Sequence, residues 1–303
     1  MKLINPKLII FTCSDDGTVD RIEPLLRVEN LRINLDRPDT WSFEASPNHW
    51  RLMSNEREIT DTSNAYVWWW KAFLEDFNMD EFLKAEIEYT TRELYRELAK
   101  QGLSVGNDFL HHEFRGKLHY LKSAQRFFRI PESLISQRGI TRLSTNNVVV
   151  KSLTSSAFSS KKVLYTTRVG QDQLDFENFW FLQEYIDSEW DVTVVILGDK
   201  FFGFQRKRSG ATVDWRKEQN FRIDSNDWIP VEFSAREVEQ FTAFARAENL
   251  GWGRIDLLRS GSGELIFLEL NANGQFGFLD PRNEFGLFTA VADLISEFPL
   301  NNP

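Results

Sequence analysis

Short apolar runs alternate with helical patterns in the first third of the chain. Apolar or alternating runs bounded by polar loops are typical of buried and half-buried strands. Such runs cover residues 8–11, 31–35 and 65–70, and apolar positions at helical spacing cover 22–28 and 81–101. The β-α-β order is typical of a parallel sheet with helical cover. It predicts an N-terminal α/β domain over residues 1–112.

The rest of the chain predicts more strands than helices. Helical spacing covers 117–128, 235–248 and 285–298, and single strands are predicted at 134–135, 148–150, 163–169 and 181–186. Two hairpins are predicted around polar turns, 192–197 with 201–204 and 254–258 with 265–270. We therefore predict a central domain over residues 113–186 and a C-terminal antiparallel-sheet domain over residues 187–303. The fold class is α+β or α/β.

Three oxygen-bearing side chains fall at related positions of the second hairpin. Glu269 and Asn271 are two residues apart on one strand, so they share a face. If the hairpin loop has an even number of residues, Asp256 lies on that same face. The opposite layer then receives Ile255, Leu257, Leu268 and Leu270. Two carboxylates and an amide suit Mg²⁺, although the solvated face of an amphipathic hairpin has the same pattern.

A lysine and a strand end are candidates for contacts with a nucleotide. Lys151 directly follows an apolar strand and precedes a serine-rich loop, so its ammonium group can point at a phosphate. The segment Gln183-Glu184-Tyr185-Ile186 ends another strand, where backbone groups can pair with the edge of an adenine. Both sets of residues have a structural explanation as well. Lys151 fits a solubilising charge on an edge strand, and residues 183–186 fit a plain exit from strand to loop.

Composition narrows the classes of protein that fit. The chain has 303 residues, 36 Lys+Arg and 45 Asp+Glu, and a net charge of −9, which argues against a general nucleic-acid binder. Its single cysteine, Cys13, excludes an internal disulfide, and only four histidines are present, so no His/Cys zinc site is expected. No apolar run reaches the roughly 20 residues needed to span a bilayer. We expect a cytoplasmic protein without a secretory signal, a membrane segment or a nucleic-acid partner.

Four segments carry a resemblance to a known family. They are Val67-Trp68-Trp69-Trp70-Lys71, residues 163–169, Asp214-Trp215-Arg216 and residues 267–276. With Lys117 opening a helix and Lys151 before a small-residue loop, their order resembles the ATP-grasp fold. More narrowly, it resembles the microviridin-type macrocyclases of graspetide biosynthesis. The last segment is similar to the metal strand of ATP-grasp proteins in general, whereas Asp-Trp-Arg is similar to a motif of the peptide-modifying branch.

The resemblance implies an ATP-grasp fold with a pre-ATP-grasp N-terminal domain, and ATP and Mg²⁺ as cofactors. The implied contacts are Lys117 and Lys151 for phosphates, Gln183, Glu184, Tyr185 and Ile186 for adenine, and Asp256, Glu269 and Asn271 for the metal. Arg216 is expected to hold the reacting carboxylate or acylphosphate, because a guanidinium fork fits both. Asp214 either orients Arg216 or assists proton removal.

The reaction that the resemblance implies is the activation of a carboxylate. A side-chain carboxylate of a ribosomally made precursor peptide attacks the γ-phosphate of ATP and becomes an acylphosphate. A Ser/Thr hydroxyl or a Lys amine of the same peptide then displaces phosphate and closes an ω-ester or ω-amide ring. The implied partner is this precursor peptide, with its leader and core, and a homodimer fits the family.

The chain departs from the family pattern at several positions. The loop after Lys151 has no glycine, and Thr193 stands where the macrocyclases usually have an arginine. Either the phosphate or carboxylate contact of that arginine is missing, or Arg206, Lys207 or Arg208 makes it. The region between 167 and 183 is compressed, so leader recognition is expected to differ.

Two other functions stay open. The same metal site fits an intermolecular carboxylate–amine ligase of the type that adds glutamate to a protein tail. The glycine-free loop and Thr193 also fit a non-catalytic nucleotide-binding module. We favour catalysis because all three expected metal ligands are present.

Overall fold

The computed structural model describes most of the chain. The described ranges are 7–74, 77–107, 111, 115–138, 142–153, 157–159, 162–163, 165–174, 177–208, 213–214 and 227–301. Their strands form five sheets, and no helix within these ranges combines the length and the apolar character needed to cross a membrane.

Three parallel strands form the first sheet, in the order β2-β1-β6. They are β1 (Lys7–Thr12), β2 (Glu29–Asn34) and β6 (Ala65–Trp69). Helix α1 (Gly17–Ile22) joins the first two strands. It begins after Asp16, whose carboxylate caps it by accepting from the backbone N–H groups of Thr18 and Val19. The helix predicted over 22–28 is therefore wrong in position: a 3₁₀ turn, Glu23–Leu25, occupies its first part.

Residues 41–60, for which the sequence predicted no element, form a small antiparallel sheet. Its strands are β3 (Trp41–Ser46), β4 (His49–Ser54) and β5 (Arg57–Thr60). Leu52 and Ile59 are its buried apolar side chains, and most other positions are polar or charged. Apolar and polar residues do alternate over 41–46, so the pattern contained a signal for the first of these strands that the prediction overlooked.

Four longer helices cover the sheets. They are α2 (Glu81–Lys100), α3 (Lys117–Ala124), α4 (Ala235–Glu248) and α5 (Leu287–Asn301). The predicted α2 and α4 are confirmed, with α4 ending at Asn249 in the left-handed region, φ +51°. Helix α3 stops at Ala124, four residues before the predicted end, because the carbonyl of Ala124 accepts from the N–H groups of Phe127 and Phe128 in a closing turn.

Four antiparallel strands form the central sheet, in the order β11-β8-β12-β7. They are β7 (Ser133–Ser136), β8 (Asn147–Lys151), β11 (Thr167–Gly170) and β12 (Trp180–Glu184). A separate pair is made by β9 (Ala157–Ser159) and β10 (Lys162–Val163). The continuous strand predicted over 163–169 is wrong, since its two ends lie in different sheets. Between them, the N–H of Thr166 donates to Asp214 Oδ2 at 2.8 Å rather than to a strand.

The C-terminal sheet has five antiparallel strands, in the order β15-β14-β13-β16-β17. They are β13 (Trp190–Leu197), β14 (Lys200–Lys207), β15 (Ile229–Pro230), β16 (Trp252–Arg259) and β17 (Leu265–Asn271). Both predicted hairpins are confirmed. One face of this sheet packs on α3 and α4 through a cluster that includes Val194, Phe241 and Phe244. The opposite face meets the N-terminal sheet.

An aromatic cluster joins the N-terminal sheet to the hairpin of β16 and β17. The Trp70 ring centre lies 5.3 Å from that of Trp252 and 5.7 Å from that of Phe276. The Asn107 side chain ties the same junction, donating to the Trp252 carbonyl at 2.6 Å and accepting from the N–H of Gly251 at 3.1 Å. The hairpin and the N-terminal unit are therefore held together by packing and by hydrogen bonds.

We predict that Gly251→Ala destabilises this junction. A Cβ at Gly251 would lie 2.1 Å from the carbonyl oxygen of Gly106, and overpacking of this kind costs about 1–3 kcal/mol. Urea unfolding followed by tryptophan fluorescence measures the loss. Gly261→Ala is the control, since a Cβ there meets nothing within 4 Å; equal midpoints for the two variants would contradict the close approach.

Candidate functional site

A cleft of about 290 Å³ lies between the central sheet and the C-terminal sheet. Its walls are formed by helix α3 and by strands of both sheets. Most side chains predicted as functional line it, namely Lys117, Lys151, Gln183, Glu184, Tyr185, Ile186, Asp214, Asp256, Glu269 and Asn271. One cavity thus contains the predicted phosphate, adenine and metal residues.

A β-bulge at Leu268 sets the register of the hairpin of β16 and β17. The loop between the last paired residues has five members, 260–264, so the expected even-numbered loop is wrong. If the pairing next to this five-residue loop continued unchanged, Asp256 would lie opposite Leu268. The ladder shifts by one residue between Leu257 and Asp256, and this places Asp256 opposite Glu269. The three expected oxygen-bearing side chains therefore meet, by a different route.

The bulge also changes the position of Leu268. The sequence placed this side chain in the opposite layer with Ile255, Leu257 and Leu270, and the structure contradicts this. Leu268 instead packs in a small cluster with Ile186, Leu258 and Ile266, and it lines the cleft. It adds an apolar wall beside the strand end at Ile186.

Both oxygens of Asp256 have partners in the protein. Arg254 binds the carboxylate with two donors, Nε to Oδ1 at 3.0 Å and Nη2 to Oδ2 at 2.9 Å. Asn271 Nδ2 donates to Asp256 Oδ2 at 2.9 Å and approaches Glu269 Oε1 at 3.4 Å. Thr193, at the position where the resemblance led us to expect an arginine, lies with its hydroxyl 2.9 Å from Asp256 Oδ1. The carboxylate is therefore held in one orientation.

Two lysines balance the charge of Glu269. Lys117 Nζ lies 2.8 Å from Glu269 Oε2. Burial of the Glu269 carboxyl raises its pKa, but Lys117 and then Lys151 outweigh this effect and hold the pKa at about 2. Burial lowers the pKa of Lys151, and the charge of Glu269 opposes that change. Within the described ranges, no acceptor lies within hydrogen-bonding distance of the Lys151 ammonium group, so it can bind an anion in the cleft.

Hydrogen bonds decide the orientation of the Gln183 amide. The Ser133 hydroxyl donates to the Pro131 carbonyl at 2.9 Å, so it can only accept from Gln183, whose Nε2 is 3.1 Å away. The oxygen Oε1 is then left as a buried acceptor, and the described part of the chain offers it no donor. Such an orphan costs about 1–3 kcal/mol. Gln183 lines the cleft but is fully buried, so a ligand that donates a hydrogen bond would satisfy this oxygen once the side chain or its neighbours shift.

The remaining members of the predicted adenine segment are partly engaged by the protein. The backbone N–H of Glu184 donates to the Glu132 carbonyl at 2.8 Å, and that of Tyr185 donates to the Asn147 carbonyl at 3.1 Å. The Ile186 carbonyl accepts from Arg208 at 3.4 Å. The side chain of Ile186 contributes to the apolar wall that Leu268 completes.

The predicted catalytic residues have different positions. Asp214 is buried, lines the cleft and accepts from Thr166. Arg206 lies on β14 opposite Asp191, and its Nε is 3.6 Å from Asp227 Oδ2. It shares the sheet face of the predicted metal residues but does not line the cleft. Arg216 lies outside the described residues.

Sequence reasoning missed two charged side chains of the cleft, Asp191 and Arg254, whereas Arg208, which also lines it, was one of the three residues considered for the contact of the missing arginine. Arg254 and Asp191 each lie two residues from a residue already considered, Asp256 and Thr193, so the two-residue period of a strand places them on the same face. Arg208 is 3.6 Å from Asp191. The strand period was the signal that could have identified Asp191 and Arg254.

Comparison with known proteins gives structural matches only. No family model matches the sequence, and no curated protein matches it either. Among solved structures, a RiPP-associated ATP-grasp ligase from Chryseobacterium gregarium, in complex with ADP and a leader and core peptide, has a TM-score of 0.78 at 22% identity. That match covers 96% of each chain.

Two further matches also cover nearly the whole of both chains. The macrocyclase MdnC from Microcystis aeruginosa, bound with its precursor peptide MdnA, has a TM-score of 0.76 at 19% identity, covering 95% of this chain and 98% of that one. The ATP-grasp ligase PsnB, complexed with a minimal precursor, Mg and ADP, has a TM-score of 0.67 at 16% identity, covering 98% and 99%. Identities this low establish the fold alone, and the chain therefore has the ATP-grasp fold.

Proposed function

We propose that this protein is an ATP- and Mg²⁺-dependent ligase that closes ω-ester or ω-amide rings in a ribosomally made precursor peptide. The observation that carries the proposal is the single face on which Asp256, Glu269 and Asn271 meet, beside the cations of Lys117 and Lys151. Oxygen ligands next to phosphate-binding cations are what Mg²⁺ and a nucleotide require.

The adenine end of the cleft fits ATP in particular. The buried Gln183 Oε1 accepts a hydrogen bond, and the adenine amino group donates one. Guanine presents a carbonyl oxygen at the corresponding position, so it would face an acceptor with an acceptor. Leu268 and Ile186 supply apolar contacts to the base.

The oxygen-bearing residues would hold the metal, which when bound neutralises charge on the transferring phosphoryl group. Lys117 and Lys151 bind phosphate oxygens, and both lie close enough to Glu269 to lower its pKa. Glu269 stays ionised at neutral pH, because a pKa of about 2 is far below 7. Arg254 holds Asp256 in place through its two hydrogen bonds.

The reaction that we assign has two steps. A peptide carboxylate attacks the γ-phosphorus, ADP leaves, and an acylphosphate forms; a hydroxyl or amine of the same peptide then displaces phosphate. The protein binds and orients the groups and supplies positive charge, which accounts for most of the catalysis in such transfers. Arg216 would hold the carboxylate, and Asp214 would either orient Arg216 or assist proton removal. Arg206 would add positive charge to the sheet face that carries Asp256.

A mass spectrum of the reaction tests the proposal. The purified enzyme is mixed with Mg-ATP and the short acidic, Ser/Thr- or Lys-rich peptide encoded beside its gene. Loss of one or more waters from the peptide supports ring formation. ADP release with a product heavier by one amino acid favours the intermolecular ligase instead. Nucleotide binding without ADP release favours the non-catalytic module.

We predict that Glu269→Gln lowers ADP formation by at least about 100-fold, as expected when one charged group that stabilises the transition state is removed. The amide keeps the shape of the side chain, so the fold is retained and thermal unfolding serves as a check. Glu264→Gln, at an exposed position of the same hairpin, is the control and keeps its activity. An active Glu269→Gln variant would refute the metal assignment.

We predict that Gln183→Met weakens ATP binding by about 10-fold, which corresponds to one hydrogen bond. The variant also loses preference for ATP over GTP, because it no longer has the acceptor that distinguishes the two bases. Titration calorimetry with both nucleotides measures this. The exposed Gln137→Met provides the comparison, and an unchanged ATP/GTP ratio in Gln183→Met would rule out the adenine contact.

A further inference from the structure

Glu248 is a buried carboxylate that has no part in the proposed reaction. It is the last residue of α4, it is only 4% exposed, and it does not line the cleft. A buried charge needs partners, because the loss of its hydration is costly. The partners that the structure gives to Glu248 come from the start of α3.

Two side chains at the start of α3 bind Glu248. His119 Nε2 donates to Glu248 Oε2 at 2.8 Å. Arg115, two residues before the helix, donates through Nη1 to the Glu248 backbone carbonyl at 2.5 Å, and the same Nη1 lies 3.5 Å from Oε2. A guanidinium group at the carboxyl end of α4 also complements the negative end of the helix dipole. The end of α4 therefore binds residues on both sides of Lys117.

A further contact with α3 passes through Arg115 and His111. Arg115 Nη1 donates to His111 Nε2 at 2.9 Å. Because Nε2 accepts, the imidazole proton lies on Nδ1, which donates to the Tyr120 hydroxyl at 2.9 Å. His111 and Tyr120 are both buried, and their ring planes differ by only 10°. The hydrogen bonds that start at the end of α4 therefore reach two residues of α3, His119 and Tyr120.

The first turn of α3 lacks a local cap. The helix has eight residues and begins after Gly116, and no side chain makes a hydrogen bond at its N-cap. Without such an acceptor, the first N–H groups of a helix are weakly held by their own segment. The contacts with Glu248 therefore take the place of local capping in fixing where this turn lies.

Lys117 is the first residue of that turn. Its Nζ lies 2.8 Å from Glu269 Oε2, and in the proposed function it binds a phosphate of the nucleotide. A lysine ammonium group is carried on a flexible four-carbon stem, so the place that it reaches depends on where its backbone lies. On its other side, α4 is followed by β16, the strand that carries Asp256. Glu248 thus lies where the turn of Lys117 is tied to the strand of Asp256.

We propose that Glu248 is a positioning residue for nucleotide binding: it fixes the first turn of α3 against the end of α4 and thereby holds Lys117 where it meets a phosphate. This inference rests on the nucleotide binding of the proposed function and adds to it a residue outside the cleft. The Glu248 carboxylate acts through His119 and Arg115, and it touches neither the nucleotide nor the peptide.

The test is a double-mutant cycle between Glu248 and Lys117. Titration calorimetry measures the binding of Mg-AMPPNP to the native protein, Glu248→Gln, Lys117→Met and the double variant. We expect Glu248→Gln to weaken binding by about 10-fold when Lys117 is present, because charge-assisted hydrogen bonds are replaced by weaker ones and the turn shifts. With Lys117→Met the same change costs about twofold or less, since no ammonium group is left to position.

Glu237→Gln is the matched control. Glu237 lies on the same helix, eleven residues before Glu248, and its carboxylate pairs with Arg259 at 2.8 Å. The substitution removes one paired charge from α4, so the thermal midpoint falls while the affinity for Mg-AMPPNP stays native. Equal losses of affinity in Glu237→Gln and Glu248→Gln would assign the effect to the stability of α4 and overturn the inference.

A pair of variants at the exposed His119 gives a second measurement if Glu248→Gln does not fold or Lys117→Met binds too weakly. His119→Gln keeps a side-chain N–H donor for Glu248 and keeps the native affinity, whereas His119→Leu loses about 10-fold. Equal affinities of these two variants, or equal losses from Glu248→Gln with and without Lys117, would overturn this inference while the proposed function stands. A native protein that does not bind Mg-AMPPNP would overturn both.

Discussion

The register of the hairpin of β16 and β17 determines where the carboxylates of the cleft lie. Because the bulge at Leu268 adds a residue to β17, Asp256 faces Glu269, and both share a face with Asn271. Without it, a leucine would oppose Asp256, and Glu269 would turn towards the apolar layer that contains Phe241 and Phe244. An unpaired carboxylate in that layer is strongly unfavourable. The cleft therefore depends on one extra residue in a strand.

The same hairpin connects the N-terminal unit to the cleft. Its sheet is buried on both faces, against α3 and α4 on one side and against the aromatic cluster of Trp70, Trp252 and Phe276 on the other. Asn107 adds hydrogen bonds across this second contact. Packing of this density permits little adjustment, so residues at the end of β6 have a defined position relative to Arg254.

The sequence predicted the elements that have strong periodicity and the residues that share a strand face. Glu269 and Asn271 follow directly from the two-residue period of a strand, and α2 and α4 from helical spacing. Asp256 was placed correctly although its argument assumed an even loop, because the bulge compensates for the fifth loop residue. A bulge depends on tertiary packing, and no local pattern encodes it.

Other features depend on contacts between distant segments. Orientation of the Gln183 amide requires Ser133, fifty residues away in the chain, and the break in the strand over 163–169 requires Asp214. These two features were not predicted because their causes are non-local. The strands over 41–60 differ, since Trp41, Phe43 and Ala45 alternate with polar residues and gave a local signal that the prediction overlooked.

The contact between Lys117 and Glu269 has a consequence for the order of binding. A divalent cation that arrives alone must displace the ammonium group from Glu269 Oε2 and leave two positive charges close together, which is unfavourable. A cation that arrives with a polyphosphate brings the anion that takes over the lysine. If the proposed metal site is right, this ion pair would make the site favour the metal–nucleotide complex over the free metal.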